Sequence, residues 1–266
     1  MGIINLTPDS FYDGGKLPST REVLAQAETM LNQGASFLDI GGYSSQPDAN
    51  EVSEEEELKR VVSAVESIAT TFPEAILSID TFRSKVASEA IQAGAAIVND
   101  ISAGHLDEDM FAIIASHQVP YIMMHMKGSP QTMKQHAHYK NITQEVLYYF
   151  SERIDKAREM GINDLIVDPG FGFAKTVEHN FRLLQDLALF KALNTPILIG
   201  ISRKSMIYKT LKIDAQNALN GTTALHSLAI AKGAKILRTH DVKEAMEVIE
   251  LLKMLPLEEP MNEKFY

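Results

Sequence analysis

The chain has 266 residues, of which 45% are hydrophobic and none is cysteine. Its length suits one large compact domain or two small ones, and no stretch approaches the roughly 20 consecutive apolar residues of a membrane-spanning helix. The absence of cysteine excludes disulfides, thiolate metal sites and a cysteine nucleophile, and it suits a cytoplasmic protein. The formal net charge of −10 argues against nucleic acids and anionic membranes as partners, but not against a small anionic substrate.

Short apolar segments, polar or glycine-rich turns and amphipathic segments alternate along the whole chain. The short segments predict parallel strands covered on both faces, at 2–6, 37–40, 76–79, 96–98, 121–124, 165–167, 197–199 and 235–237. The amphipathic segments predict helices at 21–32, 54–70, 84–93, 108–116, 143–160, 178–190, 215–231 and 242–254. Capping residues support two helix starts: Ser19 precedes the first, and Ser53 with Glu56 has the spacing of a capping box.

Eight strand–helix units in about 250 residues are the number that a (β/α)8 barrel contains. An open, doubly wound sheet gives the same alternation, and periodicity alone does not separate the two folds. No glycine-rich dinucleotide fingerprint follows a predicted strand, which favours the barrel. We therefore predict an α/β protein with a single (β/α)8 TIM barrel over residues 1–254 and a C-terminal tail at 255–266.

Polar residues or glycine lie at or near the C-terminal ends of all eight predicted strands. They are Asn5, Asp39, Asp80, Asn99 with Asp100, His125, Asp168, Gly200 with Ser202, and Arg238 with His240. One such residue is usually a cap or turn residue, but these strand ends converge on one face of a TIM barrel, so eight of them predict a shared pocket. Within that set we expect Asp39 and Asp100 to be structural and to bond loop N–H groups. His125 suits either a pocket wall or a buried, hydrogen-bonded histidine.

The residue types at these positions indicate the ligand. Asp80, Asn99 and Asp168 supply acceptors and one amide, which suit a flat heterocycle with several N–H donors, such as the guanidine-like edge of a pteridine. Lys204 and Arg238 are cations that suit a ring oxygen, a ring nitrogen or a phosphate, and the planar guanidinium of Arg238 also suits stacking on a ring.

An anion is a second expected ligand of the pocket. Asn5 and His240 are placed to meet a pyrophosphate or its metal ion. The segment 201–205 follows the seventh predicted strand and is expected to open a helix, where backbone N–H groups favour anions. No Ser/His/Asp or Cys/His triad stands out, so the chemistry does not require a protein nucleophile.

At these residues the sequence resembles the dihydropteroate synthase family. MGIINLTPDSFYDGG at the N-terminus, DPGFGFAK from Asp168 and GISRKS from Gly200 are similar to three motifs of that family. Further matches at SIDT, VNDI, MHMKGSPQTM and RTHDV run in the family's order from Met1 to about Lys253, so the resemblance covers nearly the whole chain. Each glycine-rich match is weakly specific, but the ordered set is highly specific.

The resemblance implies a role for each site residue. The pterin ring would be held by the catalytic residues Asp80, Asn99, Asp168, Lys204 and Arg238, the last of them stacked on the ring. Ile101 and Met124 would form apolar walls. The p-aminobenzoate would border Ser45, Pro47, Phe173, Ser202 and Lys204. Asn5 would bind Mg²⁺ and pyrophosphate, and Arg238 with His240 would hold the phosphates. Gln46 and Gly200 complete the expected substrate-binding set, and the segments 7–16 and 42–49 would close over the reacting centre.

The implied reaction is the displacement of pyrophosphate from 6-hydroxymethyl-7,8-dihydropterin pyrophosphate by p-aminobenzoate, which gives 7,8-dihydropteroate for folate synthesis. Mg²⁺ and cations would neutralise the leaving group. The arylamine is already a nucleophile, so positioning would supply much of the catalysis. The resemblance also implies a cytoplasmic homodimer and a sulfonamide target.

Two features depart from the family's pattern. The second segment reads GGYSSQP, so Gln46 stands where the family commonly has an arginine that faces pyrophosphate. Either the leaving group is bound more weakly or another residue, such as Arg83, supplies the missing charge. The family also carries about a short hairpin's length of chain before the first strand. Here Met1 falls at that strand, so we expect a barrel without the hairpin, either by nature or by truncation.

Two other functions stay open at the level of sequence. A non-catalytic pterin-binding paralogue is favoured by Gln46 and the missing hairpin, but the retained polar set argues against it. A pterin-dependent methyltransferase would share Asp80, Asn99 and Asp168. It would not need the GISRKS motif or the segment 7–16 for an arylamine, and this chain has both.

Overall fold

The computed structural model describes residues 1–7, 18–43 and 52–255. Its strands, numbered β1 to β8, are Gly2–Asn5, Phe37–Gly41, Ile76–Asp80, Ile97–Asp100, Tyr121–Met124, Leu165–Asp168, Leu198–Ile199 and Ile236–Leu237. Its α-helices, numbered α1 to α9, are Thr20–Asn32, Glu54–Thr71, Ser84–Gln92, Met110–His117, Ile142–Glu159, Val177–Gln185, Ser205–Leu211, Leu219–Ala231 and Val242–Lys253. Short 3-10 helices lie at Met133–His136 and Leu187–Leu193.

The strands are parallel and close into a barrel. Strands β1 to β6 pair in chain order, and β7 pairs with β8. Parallel bridges between Val167 and Ile197 and between Gly2 and Thr239 join the two sheets at both edges. The second junction is reinforced by Ile3, whose backbone N–H donates to the Thr239 carbonyl at 3.0 Å. This arrangement is a (β/α)8 TIM barrel and confirms the predicted fold class.

The predicted helix starts are confirmed at both capping sites. Ser19 and Glu22 form a reciprocal capping box at α1. At α2 the Ser53 hydroxyl accepts from the Glu56 backbone N–H, but the Glu56 carboxylate pairs with Arg60 at 2.9 Å instead of returning to the cap. The capping-box spacing therefore located the helix start correctly. The Glu56 carboxylate, however, pairs with Arg60 one turn later and not with the backbone of the cap.

Two predicted helices differ from the structure. The segment 178–190 is divided, because α6 ends at Gln185 and a 3-10 helix follows. The segment 215–231 is helical only from Leu219, while the separate short helix α7 follows β7 as the anion-binding prediction required. Helix α7 ends at Leu211 and is followed by Lys212, whose backbone is left-handed at φ 55°. In the next turn Asp214 accepts from the Asn217 backbone N–H. Local backbone conformation and hydrogen bonding divide both segments, and hydrophobic periodicity does not report either.

The apolar core has a large part between the sheet and the helices and a small part inside the barrel. The inner part is built from Ile97, Ile122 and Leu198, with Phe37, Ile166 and Ile236 packed against them. These side chains fill the N-terminal half of the barrel, so the C-terminal half is left for polar groups. Among the helices of the described residues, none combines the length and the apolar character that a bilayer crossing requires.

Candidate active site

Strand register places the expected site residues of β1 to β4 side by side. Asn5 pairs with Gly41, Gly41 with Asp80, and Asp80 with Asn99. A Cβ atom at Gly41 would lie 3.6 Å from Asp80 Oδ2 and 3.8 Å from Asn5 Oδ1. The missing side chain therefore leaves room for a methyl group between an amide and a carboxylate at the mouth of the barrel.

Arg238 connects this row of residues to β8. Its Nε donates to Asp39 Oδ2 and its Nη2 donates to Asp80 Oδ2, both at 2.6 Å. Asn99 donates from Nδ2 to the same Asp39 oxygen at 3.0 Å. The expectation that Asp39 bonds loop N–H groups was wrong, because this fully buried carboxylate binds two site side chains instead.

The surroundings of Asp80 bring the pKa of its carboxyl group close to neutral pH. Burial raises the pKa of Asp80 to about 7, although the Arg238 guanidinium opposes the rise and the Asp39 carboxylate adds to it. A carboxyl group with such a pKa gains or loses its charge with small changes of pH or of ligand. Asp80 therefore lies beside Asp39, a second carboxylate that is fully buried and binds the same guanidinium.

The opposite side of the pocket is formed by β6, β7 and the loop after β6. Asp168 is buried, and its Oδ1 accepts from the Gly170 backbone N–H at 2.8 Å. A Cβ atom at Gly200 would lie 3.5 Å from Asp168 Oδ2 and 3.8 Å from Lys204 Nζ, so this glycine lies beside both charged groups. Burial raises the pKa of Asp168, while Lys204 opposes the rise.

Lys204 and Phe173 form one wall of the pocket. The Lys204 ammonium donates to the Phe171 carbonyl and lies 4.6 Å from the centroid of the Phe173 ring. Burial lowers the pKa of Lys204 to about 8, against the attraction of Asp168. Ile101 and Met124 belong to the adjoining apolar cluster, together with Met126, Met133 and Ala174, and Phe82 and Phe173 pack against it.

Ser202 and His240 meet at the ends of β7 and β8. Ser202 Oγ lies 3.0 Å from His240 Nδ1. Desolvation lowers the pKa of His240 below its usual value, and the Arg238 charge adds to this effect. The residue is solvent-exposed at the barrel face and is suited to donate an N–H to an anion.

The sequence and fold have close relatives. A family model described as pterin binding enzyme matches residues 1–240. Dihydropteroate synthases of Synechocystis sp. and Escherichia coli K12 are each 43% identical to this chain and cover 96% and 95% of it, and 89% and 90% of their own lengths. The chain belongs to the dihydropteroate synthase family. A dihydropteroate synthase of Yersinia pestis, solved with a sulfonamide drug, matches with a TM-score of 0.89 at 39% identity, over 95% of this chain and 91% of its own.

The structure brings together most of the residues that the family resemblance implies. Asn5, Asp80, Asn99, Asp168, Gly200, Ser202, Lys204, Arg238 and His240 lie at the strand ends of one barrel face. Ser45, Gln46, Pro47 and the segment 8–16 lie outside the described residues. Arg83, the suggested replacement for a missing cation, donates to Glu57 Oε2 at 2.6 Å and to the Val52 carbonyl at 2.8 Å. Its charge is therefore already paired with a buried carboxylate.

Two other predictions have clear outcomes. Asp100 accepts from the backbone N–H groups of Ser102 and Gly104, which confirms its structural role. His125 is buried and its Nδ1 lies 2.9 Å from Lys175 Nζ, as expected of a buried, hydrogen-bonded histidine. The DPGFGFAK motif contained Lys175, but nothing in the sequence showed that its side chain turns back to β5.

A magnesium ion fits the site only in a particular mode. In the described part of the chain, no group of three or more His, Asp or Glu side chains could hold a metal ion. Mg²⁺ commonly takes one or two protein oxygens and completes its shell with phosphates and water. The Asn5 amide oxygen, beside Gly41, fits that mode.

Proposed function

We propose that this chain condenses 6-hydroxymethyl-7,8-dihydropterin pyrophosphate with p-aminobenzoate to give 7,8-dihydropteroate and pyrophosphate. One observation carries the proposal. Three acceptor side chains from β3, β4 and β6 surround the barrel mouth, and two half-buried cations that follow β7 and β8 join them. A flat, donor-rich ring with an anionic substituent complements that set.

The pterin ring would bind between the two acidic strand ends. Asn99 commits its Nδ2 to Asp39, so its Oδ1 is the atom that can accept from a ligand N–H. Asp80 and Asp168 would accept the remaining ring N–H groups, and Lys204 would donate to a ring oxygen or nitrogen. Ile101 and Met124 would cover the ring faces, together with Arg238.

The arylamine would bind beside Lys204. Phe173 and Ser202 face that side of the pocket, and we propose Ser45 and Pro47 as its remaining border. A solved dihydropteroate synthase of Xanthomonas albilineans, 36% identical to this chain with a TM-score of 0.88, contains 4-aminobenzoic acid. That structure supports p-aminobenzoate as the second substrate here.

The leaving pyrophosphate would meet Arg238, His240 and Asn5, with Gln46 nearby. Mg²⁺ held by Asn5 would neutralise phosphate charge as the carbon–oxygen bond breaks. Arg238 binds Asp39 and Asp80 through Nε and Nη2, both at 2.6 Å, which leaves its Nη1 N–H groups to donate to a phosphate. Asp39 and Asp80 would hold the guanidinium in place for that contact.

We further propose that residues 1–254 act as one catalytic domain in a cytoplasmic homodimer. Exposed leucines on neighbouring late elements support self-association: Leu189 is 56% exposed, Leu211 52% and Leu228 41%. Light scattering after size exclusion would test it. A mass of twice 29.5 kDa is expected, and a monomer at all concentrations would contradict the dimer.

The reaction is tested by incubating the protein with dihydropterin pyrophosphate, p-aminobenzoate and Mg²⁺. We expect dihydropteroate and pyrophosphate in equal amounts, and loss of both in Asp168→Asn and Lys204→Met. Lys232→Met is the matched control, because Lys232 also donates to a backbone carbonyl, that of Gln185, but lies after the C-terminal end of α8. A folded protein that binds pterin without making either product would indicate the non-catalytic paralogue, and methyl transfer from a methylated pterin would indicate the methyltransferase.

A further inference from the structure

Lys175 has a set of contacts that the reaction described above does not use. Its Nζ donates to the carbonyls of Gly170 and Phe173 at 2.9 Å and to the His125 carbonyl at 3.1 Å, and it lies 2.9 Å from His125 Nδ1. An ammonium group has three N–H donors, which match the three carbonyls. Burial lowers the pKa of Lys175 well below its usual value, while the nearby Asp168 carboxylate opposes that effect.

These contacts fasten the loop after β6 to the end of β5. Two of the carbonyls belong to the loop, and the third belongs to His125, one residue beyond β5. The backbone of Gly170 also packs directly against His125, since a Cβ atom at Gly170 would lie 2.1 Å from the His125 carbonyl oxygen. The loop is therefore pressed against β5 at Gly170 and tied to it through Lys175.

The same loop positions three groups of the pocket. Its Gly170 N–H binds Asp168, its Phe171 carbonyl accepts from Lys204, and its Phe173 ring lies against the Lys204 ammonium. A Cβ atom at Gly172 would lie 3.1 Å from Lys204 Cδ, so the loop backbone also packs on the lysine stem. A shift of this loop would move the proposed arylamine wall and change how Lys204 is held.

We propose that Lys175 is a positioning residue. It holds the arylamine side of the pocket in place by joining the β6–α6 loop to the end of β5. The expected effect of Lys175 on enzyme kinetics rests on the proposed function. Its expected effect on the conformation of the loop does not. Lys175 touches neither substrate in this scheme and acts through Phe173 and Lys204.

The test compares Lys175→Met, which keeps the length of the side chain and removes every donor, with Lys175→Arg, which restores donors. In Lys175→Met we expect the KM for p-aminobenzoate to rise about tenfold and kcat to fall less, because misplaced binding groups affect the bound geometry first. Lys175→Arg should recover part of the loss. Lys232→Met, which removes the contact between Lys232 after α8 and the Gln185 carbonyl at the end of α6, should leave both constants unchanged.

A double-mutant cycle tests whether Lys175 acts through Phe173. If it does, the double mutant should raise the KM for p-aminobenzoate by a smaller factor than the product of the factors for Lys175→Met and Phe173→Ala alone. Multiplicative effects would overturn the proposal, as would a Lys175→Met protein with unchanged kinetic constants and only a lower melting temperature. If Lys175→Met does not fold, Lys175→Gln takes its place in the same cycle.

A measurement without turnover separates this proposal from the proposed function. Amide hydrogen exchange in the segment 169–176 should be faster in Lys175→Met than in the wild type and unchanged in Lys232→Met. Unchanged exchange in that segment would overturn the proposal even in an active enzyme. A wild type that makes no dihydropteroate would instead overturn the proposed function, and the exchange result would still decide the role of Lys175.

Discussion

The two sides of the pocket are held in place by different kinds of interaction. On the β2–β4 side, side chains bind side chains: Arg238 lies between Asp39 and Asp80, and Asn99 shares the Asp39 oxygen. On the β6–β7 side, lysines bind backbone carbonyls of a glycine-rich loop. The first side should therefore be sensitive to the loss of charge, whereas the second should be sensitive to changes in backbone shape.

The largest effect is expected from a glycine of the loop side. Gly170 has φ +72°, and a Cβ there would meet the His125 oxygen, so Gly170→Ala should lower the free energy of unfolding by more than about 3 kcal/mol. Gly161→Ala is the matched control, since Gly161 has φ +83° with nothing within 4 Å, and it should cost only about 1 kcal/mol. Urea denaturation measures both. Equal losses would show that the contact with β5 is unimportant.

The charged side should respond to an isosteric neutralisation. Asp39→Asn keeps the shape but removes one of the two carboxylates that hold Arg238, so we expect a loss of about 2 kcal/mol of stability and about tenfold weaker pterin binding. Glu56→Gln breaks a partly exposed pair with Arg60 and should cost under about 0.5 kcal/mol. An Asp39→Asn protein as stable as Glu56→Gln would remove the distinction between the two sides.

The pH profile should report one group from each side. Asp80 must be ionised to accept ligand N–H groups, so activity should rise as pH increases through about 7. Lys204 must be protonated, so activity should fall as pH increases through about 8. A bell-shaped kcat/KM with these two flanks is expected. Because the Asp39 charge raises the pKa of Asp80, Asp39→Asn should move only the acidic flank, to lower pH. Movement of the basic flank alone would contradict the assignment.

The smallest effect concerns the cation that is missing at position 46. Arg83 is already paired with Glu57, so it does not replace that charge. Gln46→Arg should therefore lower the KM for the pterin pyrophosphate about threefold, as one partly screened charge would. Gln46→Met is the neutral control and should not lower it. An unchanged KM in Gln46→Arg would show that the missing charge is irrelevant.

The sequence predicted the barrel and the location of its site because both follow from local patterns. Strand spacing gave the eight units, and polar strand ends located one face. The partners within that face were not predictable, since Arg238 and Asp39 are 199 positions apart in the chain. Asp39 was assigned to loop N–H groups for that reason.

Lys175 shows a second limit of the sequence. Its motif was recognised, but the direction of its side chain depends on the left-handed backbone at Gly170, Gly172 and Ala174. Hydrophobic periodicity does not encode such a turn, and glycine only permits it. The start of the short helix α7 was predicted, but its end depends on a similar left-handed conformation at Lys212, the residue after the helix.

The most direct test asks whether both sides of the pocket bind one ligand. Calorimetric titration with 6-hydroxymethylpterin should show that Asp80→Asn and Asp168→Asn each weaken binding about 100-fold, because a single planar ring would lose a charge-assisted hydrogen bond at either end. Lys232→Met should bind as the wild type does. Normal affinity in either carboxylate variant would contradict a pterin that bridges β3 and β6.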